Sequence, residues 1–371
     1  MQYKEYELGE LLPFEQPTAY IVKSTDYNDS YSTPVLTAGK SFILGKTNEK
    51  YGIFDQLPVI IFDDFTTATQ FVNFKFKVKS SAMKILHINT ALVMPKYIFY
   101  RLQIIQFDHS THKRYWIQSY SKIKVSIPSL DEQSRIVSRI DELFSEIDKA
   151  VDTLKATKEQ LAVYRQSVLK DAFACITEYV PFGKIISSRL GKMLDKQKNV
   201  GVPCKYLRNI NVRWFSFDLS DLQDMKIEES EFEKYTICKN DLVICEGGEP
   251  GRCAVWEKDE TIFYQKALHR VRFTVKAEPR LYMYYLWYIA QNGLLNKFYT
   301  GTGIKHLTGQ SLEKIPVPIT DIEEQKRLLE LIEMRLSVCD SIEKTVDAAL
   351  AQADAMQQSI LKQAFEAEKK V

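Results

Sequence analysis

The residues best suited to meet a phosphate or a base edge sit in glycine-containing turns and short basic loops. Gly247-Gly248-Glu249-Pro250-Gly251-Arg252 follows the apolar run Leu242-Val243-Ile244-Cys245. Successive amides in such a turn can cradle a phosphate, and Arg252 can reach a phosphate or a guanine. The same residues also make a plain Gly/Pro turn with a solvated arginine. Gly39-Lys40-Ser41-Phe42-Ile43-Leu44-Gly45-Lys46-Thr47 looks like a nucleotide phosphate loop, but five residues separate its first glycine from Gly-Lys-Thr where four are needed. It reads as a β-turn region with exposed Lys40 and Lys46. Asp63-Asp64, followed by Thr66-Thr67, is only loosely a metal-binding carboxylate pair, because no partner acid or lysine signature completes a nuclease site. The histidines, His87, His109, His112, His269 and His306, form no triad with a serine or cysteine elbow. Cys238, Cys245 and Cys253 are spaced more widely than usual zinc ligands, so buried reduced thiols are the better reading. The sequence supports no catalytic residue and no metal site.

The elements that carry these residues occur twice. Glu132-Gln133-Ser134-Arg135 returns as Glu324-Gln325-Lys326-Arg327, and Gln166-Ser167-Val168-Leu169-Lys170 returns as Gln358-Ser359-Ile360-Leu361-Lys362, both 192 residues on. A fixed offset signals two copies of one unit. Each copy is a globular segment followed by a long helix. Ile140, Ile147, Leu154, Leu161 and Val168 stand seven apart, as do Ile332, Cys339, Val346, Ala353 and Ile360. Ile136, Leu143 and Ala150, and Leu328, Ile342, Ala349 and Met356, form companion rows. Such rows predict a seam between two helices about 60 Å long, antiparallel in a two-fold-like arrangement. The competing expectation is that each helix packs on its own domain.

Residues 1–126 and 178–318 are rich in aromatic and β-branched types, with strand-like runs at Val59–Phe62 and Leu242–Cys245. Val72–Val78 alternates strictly, which predicts one strand with Lys75 and Lys77 facing water. Pro95–Leu102 and Pro279–Leu286 predict matching short buried helices. Basic loops, His112-Lys113-Arg114 and Lys305-His306, follow. The fold class expected is α+β: two α/β domains and two long antiparallel helices in a coiled coil, with a pseudo-two-fold internal repeat. Domains are drawn at 1–126 and 178–318, helices at 127–177 and 319–371.

With 50 Lys+Arg against 48 Asp+Glu, the net charge is +2. That disfavours coating of nucleic acid by bulk charge but allows local basic patches. The apolar runs are too short to span a bilayer, and the N-terminal residues lack a signal-peptide core. A cytoplasmic protein is expected.

Two variable segments, each closed by Ile127-Pro128 or Val317-Pro318, then Glu132-Gln133 with Arg135 or Glu324-Gln325 with Arg327, then a heptad helix, resemble the specificity subunit of type I restriction–modification enzymes. Asn240–Arg252 and Thr37–Ser41 are similar to segments of that family's target recognition domains. The resemblance implies a non-catalytic reader of double-stranded DNA, in which each domain reads half of a split asymmetric target. The helices would set the spacing and dock two methyltransferase subunits, which restriction subunits join. S-adenosylmethionine, ATP and Mg would be bound by those partners and no cofactor by this chain. The residues expected at DNA are Lys40, Lys46, Thr66, Thr67, Lys113, Arg114, Gly248, Arg252, Lys305 and His306. Those expected in the seam or at subunits are Ile140, Ile147, Leu154, Leu161, Val168, Ile332, Val346 and Ile360. The alternative function is a coiled-coil adaptor with two protein-binding domains.

Overall fold

The computed structural model describes residues 3–37, 41–108, 114–195 and 197–366. The chain divides into two compact units, Met1–Lys155 with Asp347–Val371, and Ala156–Val346. Both boundaries fall inside long helices, so each unit holds one globular segment and part of each helix.

The first segment contains β1 (Lys4–Glu7), α1 (Leu8–Leu11), β2 (Phe14–Glu15), β3 (Thr33–Leu36), β4 (Ile43–Thr47), β5 (Val59–Asp63), β6 (Thr69–Val72), β7 (Lys77–Val78) and β8 (Met83–His87). Then come α2 (Pro95–Gln103), α3 (Tyr115–Gln118), β9 (Lys124–Ile127) and the long α4 (Leu130–Ala174). One antiparallel sheet is ordered β2-β8-β5-β6. A smaller sheet, β4-β3-β7, pairs β3 with β7 in parallel. β5 is buried because both its faces are covered. Ile60 and Phe62 join the core beneath α2 and α4, while Val59 and Ile61 join the core of the smaller sheet. That two-sided burial explains the unbroken apolar run.

The second segment contains β10 (Tyr179–Pro181), β11 (Ile186–Leu190), β12 (Val202–Leu207), β13 (Val212–Arg213), β14 (Ser216–Phe217), β15 (Gln223–Ile227), α5 (Phe232–Tyr235), β16 (Thr236–Ile237) and β17 (Leu242–Cys245). Next are β18 (Cys253–Val255), β19 (Ile262–Tyr264), β20 (Leu268–Phe273), α6 (Pro279–Gln291), α7 (Gly309–Glu313), β21 (Pro316–Pro318) and the long α8 (Ile322–Glu366). Its main sheet is β11-β20-β17-β18, all antiparallel. The other is β15-β12-β19-β16, with β12 and β19 parallel. Strand for strand, β2-β8-β5-β6 matches β11-β20-β17-β18, and β4-β3-β7 matches β15-β12-β19. The repeat, faint in the sequence of these segments, is clear in their topology.

The repeated Glu-Gln-x-Arg has a structural cause. Gln133 is fully buried; its Oε1 accepts from the Met94 amide (2.7 Å) and its Nε2 donates to Pro128 O (2.9 Å). Gln325 repeats this, accepting from the Glu278 amide (3.0 Å) and donating to Thr320 O (2.8 Å). Met94 and Glu278 are the residues just before α2 and α6, so each glutamine satisfies an orphan helix-start amide and ties a domain helix to a long helix. The flanking pairs, Glu132–Arg135 (2.6 Å) and Glu324–Arg327 (2.5 Å), are exposed i,i+3 ion pairs.

Within each unit the two long helices run antiparallel. In the first, Ile136 and Arg139 share a cavity wall with Ala364, while Gln357 donates to Asp148 (3.1 Å). In the second, Arg165 donates to Asp340 (2.7 Å) and Lys158 pairs with Glu343 (3.7 Å). Asp148 and Asp340 are 192 residues apart, as are Arg165 and Gln357, so the two bridges are repeat equivalents. Ile140, Ile147, Leu161, Val168, Ile332, Cys339, Val346 and Ala353 are buried, with Leu154 and Ile360 half-buried. The companion rows hold in part: Leu328 is buried and Ile136, Leu143 and Ala349 are half-buried, but Ala150, Ile342 and Met356 are exposed. One narrow stripe suffices for a pair of helices, so a companion row at its edge is covered only in part. At the ends both expectations hold together. Val137 and Phe365 enter the core of α2, and Phe173 packs on Tyr285 of α6 at 5.1 Å.

Val72–Val78 is not one strand. β6 ends at Val72 and β7, in the other sheet, begins at Lys77. Lys77 is buried rather than solvated, because Glu49 (3.1 Å) and the carbonyls of Tyr51 (2.7 Å) and Gly52 (3.1 Å) satisfy its ammonium. Among the described residues, no helix is long and apolar enough to cross a membrane.

Candidate nucleic-acid interface

In the second unit, the turn between β17 and β18 is built by glycine and braced by side chains. Gly248 (φ +74°) and Gly251 (φ +94°) hold left-handed conformations, and a Cβ on Gly251 would stand 2.7 Å from Leu295 Cδ1. Asn209 Nδ2 donates to Gly247 O (2.5 Å). Arg252 is largely occupied: its guanidinium donates to Asn209 Oδ1 (2.8 Å), Asn209 O (3.2 Å) and Glu249 Oε2 (2.8 Å). Trp214 Nε1 donates to the other oxygen of Glu249 (2.7 Å). The side chain expected to project toward DNA therefore braces the turn.

A second loop lies against this turn. Thr300 and His306 exchange backbone hydrogen bonds (2.8 and 2.9 Å), and the loop between them turns at Gly301 (φ +96°). The Leu307 amide donates to Glu246 O (2.7 Å), and Tyr299 Oη donates to Pro250 O (2.8 Å). The His306 ring is so near Gly247 that a Cβ there would meet its Nδ1 at 3.1 Å. Ile304, Lys305 and His306 are exposed. The structure thus gathers Gly248, Arg252, Lys305 and His306 on one face.

The first unit builds the same face from different residues. The turn between β5 and β6 is held by Asp63, whose Oδ1 accepts from the Phe65 (2.8 Å) and Thr66 (2.9 Å) amides. Thr67 takes a positive φ of 56°. Phe65 and Thr66 are exposed at the tip. The Tyr115 amide donates to Asp64 O (2.9 Å), which draws exposed Arg114 to this turn. This bond corresponds to Leu307–Glu246: Tyr115 and Leu307 are 192 residues apart, and Asp64 and Glu246 each directly follow the strand end of matching turns. Thr66, Thr67 and Arg114 are therefore brought together. Lys46 is not; it is half-buried on β4, with Nζ 3.4 Å from Asp29 O. Lys40 and Lys113 lie outside the described residues.

Beneath each face is a buried polar group that sequence reading missed or misassigned. Asp64 Oδ2 and Lys84 Nζ, 3.0 Å apart, are 1% and 0% exposed, and Asp64 Oδ1 accepts from the Trp116 amide (2.9 Å). Lys84 stands opposite Phe62, as His269 stands opposite Ile244 in the second unit. His269 Nε2 meets Leu307 O at 2.9 Å, and burial lowers its pKa. A lysine or histidine inside an apolar strand was the available signal. Asn209 and Trp214 carried none. Cys245 and Cys253 lie on β17 and β18; burial pushes the Cys245 thiol up to about 11, so these thiols stay protonated at neutral pH.

These faces offer amides, hydroxyls and cations on rigid turns, a set suited to phosphates and base edges rather than to bond chemistry. Comparison with known proteins bears on the chain as a whole. A family model for the type I restriction modification DNA specificity domain matches residues 2–159 and again 204–352. The EcoR124I/EcoR124II specificity subunit of Escherichia coli is 31% identical over 370 residues, covering 90% of this chain and 87% of its own. The EcoKI specificity subunit of Escherichia coli strain K12 is 26% identical over 271 residues, 67% of this chain and 58% of that one. Among solved structures, a chain from a study of complex assembly and conformational transition of the type I R-M system aligns with TM-score 0.70 at 14% identity, covering 98% and 97% of the two chains. The HsdS subunit from Thermoanaerobacter tengcongensis aligns at TM-score 0.51 and 14% identity, covering 98% and 96%. These two carry the fold alone. The adaptor alternative is not favoured by any of these matches. Two copies of the family domain in one chain, with a 31% identical relative along nearly its whole length, establish that this protein belongs to the type I restriction–modification DNA specificity family, whose members are non-catalytic specificity subunits.

Proposed function

We propose that each two-loop face reads one half of a bipartite, asymmetric DNA target. The observation that carries this is the repeated tether: Tyr115–Asp64 and Leu307–Glu246 join a strand turn to a basic loop at the same place in both units, under different side chains. One frame displaying two surfaces suits two different half-sites. Thr66, Thr67 and Arg114 would serve one half, and Gly248, Lys305 and His306 the other, with Arg252 shaping the second turn. Lys40, Lys46 and Lys113 are candidate phosphate contacts, which fix register without reading sequence. Residues 1–126 and 178–318 act as the target recognition domains, and the helices space them and dock two methyltransferase subunits. Restriction subunits complete the assembly in the cytoplasm. S-adenosylmethionine, ATP and Mg belong to those partners. Joining two half-site readers raises the effective concentration of the second once the first is bound.

The test is exchange of residues 1–126 for the same segment of a relative with a different target. One half of the recognised sequence should change and the other stay. Change in both halves would mean that the faces do not read independently.

A further inference from the structure

We propose that Asp64 and Lys84 are positioning residues for half-site recognition by the first unit: their buried ion pair holds the Asp63–Thr67 turn in register with Arg114. This rests on the two-loop face being the reading surface. Asp64 stands at the junction of the face. Its backbone oxygen accepts from the Tyr115 amide, its Oδ1 from the Trp116 amide (2.9 Å), and its Oδ2 faces Lys84 Nζ (3.0 Å). Trp116 is itself buried against Phe62, ring centroids 4.9 Å apart. Thr66 and Thr67 begin two residues after Asp64, and Arg114 lies one residue before Tyr115. One residue thus fixes the start of the Asp63–Thr67 turn and the end of the loop that carries Arg114.

Stability alone is a poor reason for this arrangement. A buried ion pair often stabilises no more than two apolar side chains of similar volume, though removing one partner is costly. An apolar pair, however, cannot supply an oriented acceptor to the Trp116 amide. The second unit fastens its basic loop with a different group, a donor to a backbone carbonyl. His269, at the strand position of Lys84, bonds to Leu307 O while Glu246, at the position of Asp64, takes the Leu307 amide. Two chemistries at one topological position, Lys84 acting on the loop through Asp64 and His269 bonding it directly, point to a positional requirement.

The experiment uses the chain assembled with its methyltransferase subunits. Binding is measured on duplexes carrying the mapped target and on duplexes with single-base changes in either half. Asp64→Leu with Lys84→Met removes both charges and the acceptor. Asp64→Asn with Lys84→Met removes the charges but keeps an acceptor for Trp116. The expected result for the Leu/Met variant is a small drop in melting temperature from the stranded Trp116 amide and a loss of about tenfold in discrimination confined to the first unit's half-site. The other half-site keeps its discrimination, and the Asn/Met variant restores most of what was lost. Unchanged discrimination in the folded Leu/Met variant overturns the proposal. So does a lowered melting temperature with equal weakening on every duplex, which marks a merely structural pair. Failure of the wild-type complex to discriminate in either half would instead overturn the two-loop reading.

Discussion

Arg252→Ala separates bracing from contact in the glycine turn. The wild-type guanidinium is 15% exposed, while its partner Glu249 is 51% exposed. The Glu249 pair is screened by solvent and contributes about 0.2–1 kcal/mol. The bond to Asn209 Oδ1 at 2.8 Å uses a charged, sheltered donor, worth about 1.5–3 kcal/mol; the 3.2 Å bond to Asn209 O adds less. Local order of the turn should therefore fall by about 2–3 kcal/mol, or roughly 30- to 150-fold in opening. Hydrogen exchange at the Gly251 amide, which donates to Cys245 O (3.0 Å), reads this directly. Affinity for the cognate duplex should fall, and discrimination in the second half-site should relax, because the turn is less ordered. The salt dependence should keep its slope, since no phosphate contact is removed. A slope lower by about one unit would show that Arg252 neutralises a phosphate and would refute the bracing role. Unchanged exchange with unchanged binding would refute it as well.

Two further outcomes follow from single residues. Gln133→Ala strands the Met94 amide and the Pro128 carbonyl in a buried site, at a cost of about 2–4 kcal/mol; hydrogen exchange should rise across Pro95–Gln103 and stay unchanged across Pro279–Gln291. His269 has its folded pKa lowered from 6.5, by burial first, against opposing effects from the Leu307 bond, Glu246 and Glu313. The unfolded chain therefore takes up the proton first as pH falls. Stability of the second unit is full above 6.5 and declines below it. His269→Gln should flatten that decline in a denaturant series, and an unaltered pH profile would count against the assignment.

The long helices were legible because their residues answer to local periodicity and were kept twice. β5 and β17 were legible because strands covered on both faces are apolar throughout. The paired glutamines, Gln133 and Gln325, were visible as a repeat but not as buried clamps, since their partners Met94 and Glu278 lie about 40 or more residues upstream. Val72–Val78 misled because alternation describes one continuous strand, whereas this chain leaves one sheet and enters another between Asn73 and Lys77. The companion heptad rows misled in part for a similar reason: spacing places residues on a face but does not say whether anything covers it. In the candidate interface, turn glycines and basic loops could be picked from residue type. That the loop ending at Arg114 meets the turn after β5 could not, because the tether is a backbone bond between Tyr115 and Asp64. Arg252 shows the reverse limit: the residue was conspicuous, but its engagement with Asn209 depends on a residue far upstream.

Genome-wide mapping of methylated bases with and without this chain, in cells that supply the methyltransferase subunits, tests the reading of two half-sites most directly. Methylation that depends on the chain should fall at a split, non-palindromic sequence whose two halves are separated by an unread spacer of fixed length. Methylation confined to a single contiguous palindrome, or unchanged when the chain is removed, would contradict that reading.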